Sequence, residues 1–349
     1  MVIIGYGLAG SIFHAPLIAA TPGMTVTGVV TSNAERQAEA RAAFPSVTVF
    51  ERVEQLWERA GEFDLCVVAC PNELHAQYAI AALAAGLHVV VDKPMAVTAK
   101  ECEEVVAAAK RHGKLVSVFQ NRRWDGDFLT VKKIVETGGV GQVNRYESRF
   151  DRWRPQPRAN SWREKGSVEQ GAGLLYDLGS HLVDQAVHLF GVPESVYAEM
   201  NRRREGVSGD DDSFIALSFN SGVRAHLWMS ALVRKLAPRF RVMGMKGTYE
   251  KYGLDPQEEA LRAGKRLPGE DWGAEPREAW GTLWGAQDGK DYEGVVETER
   301  GDYCAFYSRM RDAIAGGGTV PVDPNDAVLC LRIIESAVKS ARDGLIVKL

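Results

Sequence analysis

Cysteine is scarce and carries no pairing pattern. The 349 residues hold five, Cys66, Cys70, Cys102, Cys304 and Cys330, with no CxxC spacing and an odd total. That usage excludes a disulfide framework or a cysteine-rich zinc site as the organising element, and it predicts buried, reduced thiols. No apolar run approaches the ~20 residues that a membrane-crossing helix needs. Charge of one sign is never concentrated: the formal net charge is -4 and no long block of like charge occurs, which argues against a nucleic-acid or membrane partner. A basic leader is also missing, because Met1 runs at once into apolar residues and glycines, and a cytoplasmic protein is expected. The opening strand, Val2-Ile3-Ile4, is so short that a few further residues upstream are expected. Internal repeats and low-complexity tracts are absent.

What is present is ordinary for a globular enzyme: 45% hydrophobic and 25% charged residues, over a length that suggests two domains. In the first third, short continuous apolar runs alternate with helical stretches. Val2-Ile3-Ile4, Val26 to Val30, Leu65 to Ala69, His88 to Val91 and Leu115 to Phe119 read as strands. Ala34 to Phe44, Glu73 to Ala85 and Ala99 to His112 read as helices, the last stopped by Gly113. Apolar strands separated by helices imply a parallel, doubly wound α/β sheet. After Asn121 strands follow strands, and Ser221-Gly222 reads as a hairpin turn between Phe214–Asn220 and Val223–Ser230. The expectation is a Rossmann domain over 1–121 and, over 122–349, an α+β domain with a large, mostly antiparallel open sheet. Residues 256–295, rich in glycine, proline and charge, are expected to form a long loop.

Gly5-Tyr6-Gly7-Leu8-Ala9-Gly10 is a GxGxxG motif placed between a strand and a helix. There, glycines permit a tight turn and let backbone N–H groups approach a pyrophosphate, which also faces a helix N-terminus. An NAD site usually carries an acid at the end of the second strand; here the place holds Thr31-Ser32-Asn33, with Arg36 close behind. Hydroxyl, amide and guanidinium suit a ribose 2′-phosphate, so Ser32, Asn33 and Arg36 point to NADP, with NAD as the alternative. Ser32 and Glu35 also fit a capping box, with Ser32 as N-cap. Pro71-Asn72 and Asp92-Lys93-Pro94 lie at the C-terminal ends of strands, where ligands of open α/β sheets bind. A lysine at position 93 can reach a nicotinamide and a substrate hydroxyl together.

In the second half, Asp177, His181, Asp184, Gln185 and His188 recur at helical spacing on one narrow face. A carboxylate one turn from an imidazole suits proton transfer. A metal held by Asp177, His181 and Asp184 is a geometric alternative. Asn121 and Arg122, after the last Rossmann strand, are candidates to bind substrate hydroxyls, and Trp162 to wall a sugar ring.

These residues together resemble the glucose–fructose oxidoreductase / inositol dehydrogenase (Gfo/Idh/MocA) family over nearly the whole chain. The glycine loop matches the family's cofactor motif. Asp92-Lys93-Pro94 matches its Glu-Lys-Pro motif, with Asp in place of Glu. Pro71, Asn72 and His75 match a segment near the nicotinamide, and Gly173 through His181 matches its Asp…His motif. The resemblance implies a Rossmann domain, a C-terminal α/β domain, and reversible oxidation of sugar or inositol hydroxyls with NAD or NADP. Phe119 to Asp125 and Gly247 to Gly253 look like the NADP-dependent scyllo-inositol dehydrogenase branch. On this reading Lys93, Asp177 and His181 are catalytic, no metal is needed, and the open sheet implies a homodimer or homotetramer. Rival readings are a silent NADP-binding regulator, a redox-neutral NAD-dependent glycosidase and a metal-dependent lyase.

Overall fold

A computed structural model describes residues 1–157, 162–265, 267, 269–287 and 290–349, with the side chains at 162, 163 and 287 also outside the described set. The chain divides into two compact units. One comprises Met1–Asn121, Gln257–Trp272 and Asp302–Val328; the other comprises Arg122–Pro256, Gly273–Gly301 and Leu329–Leu349.

The first unit is built on six parallel strands: β1 (Val2–Ile4), β2 (Gly28–Val30), β3 (Thr48–Phe50), β4 (Leu65–Val68), β5 (His88–Asp92) and β6 (Val116–Phe119). Their order is β3-β2-β1-β4-β5-β6, so the connection reverses direction between β1 and β4. That reversal opens a crevice at the C-terminal strand ends, where such sheets bind ligands. Burial explains why the apolar runs were readable: Ile3, Val67, Val68, Val89, Val90 and Val91 are all fully buried. The helix Ala99–His112 starts on a Thr98/Glu101 capping box and ends at Gly113, as its sequence predicts. The short edge strand β3 was not anticipated. Its Thr48-Val49-Phe50 buries only Phe50, leaving no clear apolar run.

Two later segments complete this unit. Tyr307, from the helix Cys304–Ile314, joins a buried aromatic cluster with His14, Phe119 and Phe306. The Ser117 hydroxyl donates to the Val322 carbonyl at 2.9 Å and accepts the Val322 N–H at 3.1 Å.

The second unit carries a nine-stranded sheet: β7 (Val143–Asp151), β8 (Pro193–Asn201), β9 (Asp212–Phe219), β10 (Arg224–Ser230), β11 (Phe240–Gly244), β12 (Gly247–Lys251), β13 (Gly281–Gln287), β14 (Lys290–Val296) and β15 (Val347–Lys348). The order is β14-β13-β12-β11-β7-β10-β9-β8-β15, antiparallel except for the β7–β10 pair. The β9–β10 hairpin turns at Ser221-Gly222 as expected. The long loop expected over 256–295 is a correction. That stretch holds a helix at Gln257–Arg262, a short turn at Arg277–Ala279, and the two strands β13 and β14, paired antiparallel. The strand signal was masked because β14 is largely exposed and charged, so no apolar face alternates along it.

Along β9 and β10 to Met229, buried and more exposed residues alternate. Ile215, Leu217, Ala225 and Leu227 are buried, whereas Phe214, Ala216, His226 and Trp228 on the opposite face are half-buried. Trp228 stands directly across from Phe214, and the Arg149 guanidinium lies 3.9 Å over the Trp228 ring.

Candidate active site

In the first unit the glycine loop directly follows β1. Gly5 has φ +92°, and a Cβ there would overlap the Ala69 carbonyl oxygen; a Cβ at Gly10 would overlap the carbonyl oxygen of Gly5. Only glycine leaves this turn tight enough for a pyrophosphate to approach the backbone, while the Gly5 N–H itself donates to the Val30 carbonyl at 3.0 Å. Tyr6 is buried, Leu8 is exposed, and a π-turn at Ala9–His14 leads into the helix Ala15–Ala19. The loop therefore fits a dinucleotide phosphate.

At the end of β2 the N-cap of the next helix is Asn33, whose side-chain oxygen accepts the Arg36 N–H at 2.9 Å. This corrects the expected Ser32/Glu35 capping box. Ser32 stays exposed and is not needed to hold the helix. The Arg36 guanidinium lies beside Gly7, about 3.6 Å from where a Cβ would stand. A cation thus lies beside the glycine loop, at a strand end without a carboxylate.

The neighbouring strand ends carry the other cofactor-side candidates. Pro71 is exposed and Asn72 is buried at the start of a short turn. His75 is buried, with Nδ1 2.7 Å from the Pro94 carbonyl oxygen and Nε2 2.8 Å from that of Cys70. The ring thus ties the Pro71 turn to the Lys93–Pro94 turn. Lys93 is half-buried, and its backbone N–H donates to Asp92 Oδ1 at 2.8 Å. Cys70 lies close by, but burial pushes its thiol up to about 12, which removes thiolate chemistry near neutral pH. The expectation of five buried thiols holds for Cys66, Cys102 and Cys330; Cys70 and Cys304 are half-buried.

Sequence reasoning passed over His14, a lone histidine in an apolar stretch. Its ring is fully buried, stacks on Phe119 at 4.4 Å, and places Nδ1 2.6 Å from the Tyr307 hydroxyl. Nε2 lies 3.9 Å from Asp92 Oδ1. Burial lowers its pKa to about 4, against an opposing pull from Asp92 and a smaller push from His75.

In the second unit the Asp177–His181 segment begins at Gly173, φ +91°, whose missing side chain makes room for the Asp210 carboxylate. Asp210 Oδ2 accepts the Leu175 N–H at 2.8 Å and the Ser213 hydroxyl at 2.7 Å, and its backbone carbonyl accepts Leu174 N–H at 3.0 Å. Burial raises the Asp210 carboxyl to about 6, partly offset by these bonds. Asp210 is a residue that sequence reasoning missed, because 35 positions separate it from the helix it holds. The expected regular helix opens as a π-turn at Leu175–Gly179, which carries half-buried Asp177, and continues as an α-helix at Ser180–Phe190, which carries buried His181. Such wide turns recur at functional sites.

The polar face read as one stripe divides by burial. Asp184 makes a buried two-point ion pair with Arg123, at 2.8 and 2.7 Å, so the metal alternative loses its third ligand. The Gln185 side chain donates to the Arg122 carbonyl at 2.9 Å and accepts from Arg239 at 3.1 Å. His188 is exposed, with Nε2 3.2 Å from the Lys132 ammonium. Asp184 and Gln185 thus anchor the helix that carries His181. Asn121 is buried, and Arg122 is buried beside Asp125 at 3.2 Å with its guanidinium 4.8 Å over Phe150. The side chain of Trp162 lies outside the described residues. Among the described residues no helix is long and apolar enough to cross a membrane.

Comparison with known proteins shows the family. Residues 1–120 match the Gfo/Idh/MocA family model described as an NAD-binding Rossmann fold, and residues 132–349 match the model of the family's C-terminal alpha/beta domain. The chain is 42% identical to the oxidoreductase YdgJ of Escherichia coli, over 97% of this chain and 95% of that one. It is 36% identical to the scyllo-inositol 2-dehydrogenase (NADP(+)) IolW of Bacillus subtilis, over 98% and 93%. The solved structure of the oxidoreductase yvaA from Bacillus subtilis superposes with a TM-score of 0.94 at 35% identity, covering 100% of this chain and 97% of that one. The chain belongs to the Gfo/Idh/MocA family of oxidoreductases and is an NAD(P)-dependent dehydrogenase.

Proposed function

We propose that the chain is an NADP-preferring dehydrogenase, acting on a secondary hydroxyl or carbonyl of a cyclic polyol or sugar of the inositol kind. The observation that carries the cofactor preference is the Arg36 guanidinium beside Gly7, at a strand end that reads Thr31-Ser32-Asn33 and holds no acid. A carboxylate there would accept a free ribose diol and repel a 2′-phosphate. Its absence removes both effects, and Ser32, Asn33 and Arg36 offer donors to the phosphate. The substrate class is supported by the likeness to IolW, whose name records scyllo-inositol and NADP(+).

When bound, the nicotinamide supplies the acceptor or donor of hydride. The turn formed by Gly5, Tyr6, Gly7, Leu8, Ala9 and Gly10 would hold the phosphates, and Pro71, Asn72 and His75 would shape the turn nearer the nicotinamide. In the oxidation direction His181 takes the hydroxyl proton and Asp177 orients His181 or a neighbouring hydroxyl. Lys93, as a cation, stabilises the developing alkoxide. Asn121, Arg122 and Trp162 complete the set assigned to substrate. The protein is assigned to the cytoplasm. It is assigned as a homo-oligomer that covers the Phe214–His226–Trp228 face of the second sheet.

The test is kcat/KM with NADP and with NAD, using scyllo-inositol, in wild type and in Arg36→Ala. One charge-assisted bond is worth about 1.5–3 kcal/mol, so wild type should prefer NADP by roughly 10- to 150-fold and Arg36→Ala should lose most of that. Wild type preferring NAD would sink the cofactor reading. A preference that survives Arg36→Ala would move the credit to Ser32 and the backbone.

A further inference from the structure

The glycine loop and the lysine turn are linked by a buried arm that neither motif contains. His14 closes the π-turn Ala9–His14 that follows the glycines, and it is fully buried between Phe119 and Tyr307. Burial holds the Tyr307 phenol far above its usual range, so the hydroxyl keeps its proton and can donate it to His14 Nδ1 at 2.6 Å. The ring's own proton then sits on Nε2. The opposite tautomer would aim a lone pair at the Asp92 carboxylate, which is repulsive. Among the described residues Nε2 has no hydrogen-bond partner; it is buried, and the carboxylate in front of it, Asp92 Oδ1, stands 3.9 Å away. That same oxygen accepts the Lys93 N–H at 2.8 Å. On the far side of the turn, His75 meets the Pro94 carbonyl at 2.7 Å.

We propose that His14, backed by Tyr307, is a positioning residue that holds the Asp92 carboxylate against the Lys93 amide and so fixes the direction in which Lys93 leaves β5. Because His14 belongs to the turn that opens from the glycine loop, the arm also connects the seating of the dinucleotide phosphates to the placement of the lysine. An aspartate at position 92 suits this arrangement: its short side chain closes on the next residue's amide while still facing His14. The consequence for turnover rests on the assignment of Lys93 to catalysis; the positioning itself does not.

The experiment is residue-resolved amide hydrogen exchange on the full chain with NADPH added, in wild type and in the near-isosteric variants His14→Phe and Tyr307→Phe. The Lys93 amide should exchange about tenfold faster or more in both variants, while the Val90 and Val91 amides inside β5 keep their protection. His14→Gln, which restores a donor toward Asp92, should recover most of the loss. Lys93 exchange within about twofold of wild type in a folded His14→Phe, or a uniform loss of protection along β5, would overturn the proposal. Should His14→Phe fail to fold, Tyr307→Phe and His14→Gln decide the matter by the same readout. Lys93→Met separates the two readings. It should keep a slow amide at position 93 yet lose most of kcat with NADP and scyllo-inositol. Normal turnover there would remove Lys93 from catalysis while leaving the exchange result to judge His14.

Discussion

Asp210 shows how one buried carboxylate can hold a site together and still weigh against the folded state. Its Oδ2 serves both Leu175 and Ser213, yet burial lifts its pKa from 3.8 to about 6. Between those two pH values the folded chain binds more protons than the unfolded chain, so this group makes stability fall as pH rises from about 4 to 6. Above pH 6 the deficit is complete, on the order of 3 kcal/mol at 1.36 kcal/mol per pKa unit. An amide keeps the acceptor toward Leu175 and sheds the charge. Asp210→Asn should therefore raise Tm by several degrees at pH 8 and change it little near pH 4, measured by thermal denaturation at both. A Tm difference of equal size at the two pH values would mean that the charge is not the cause. None of this was legible from the sequence, where Asp210 is one of three consecutive aspartates. Lys93, Asp177 and His181 could be singled out as candidates from the sequence, because each stands in a motif with its own strand end or helix start.

Elements were readable where burial left a periodic trace. β1, β4 and the centre of β5 are apolar without interruption, and the β9–β10 hairpin alternates with a glycine turn between its arms. The charged, exposed β14 leaves no such trace, so β13 and β14 read as loop. The capping box at Ser32 was a plausible pattern overridden by geometry: the chain turns one residue later, and Asn33 takes the role. The stripe from Asp177 to His188 had the right periodicity but could not reveal that Asp184 and Gln185 face Arg123, Arg122 and Arg239. Gly173 matters at this scale, since the element starts there with a positive φ and with Asp210 in the space of a side chain. Gly173→Ala adds backbone strain of about 1–3 kcal/mol and a steric overlap to the turn that carries Asp177. It should lower Tm by several degrees and cut kcat/KM by more than about tenfold, while cofactor affinity, read by NADPH fluorescence, stays near wild type. Unchanged turnover would show that this turn tolerates displacement and that Asp177 is not placed by it.

At the scale of the molecule, the second sheet keeps an aromatic face, Phe214, His226 and Trp228 with Arg149 above, half-buried rather than covered. Large aromatics in such a patch belong to interfaces more often than to solvent. Wild type should run as a dimer or tetramer in light scattering after gel filtration, and Trp228→Asp should shift it toward monomer with its circular dichroism intact. A monomeric wild type would remove the assignment of this face to self-association. The strand-after-strand pattern of the sequence announced the sheet, but not which face would remain available.

The first unit gathers Gln257–Trp272 and Asp302–Val328 around residues 1–121, and Tyr307 reaches His14 across 293 positions. On the ribosome the glycine loop therefore emerges long before the segments that complete the unit around it. A nascent chain cut before Tyr307 still carries its dinucleotide motif, but His14 has no phenol behind it, and Ser117 lacks both backbone partners of Val322. The contacts of His14 and Ser117 with the later segment are thus completed late in synthesis, and a gene fusion that transplants only the first 121 residues would carry the fingerprint without the arm.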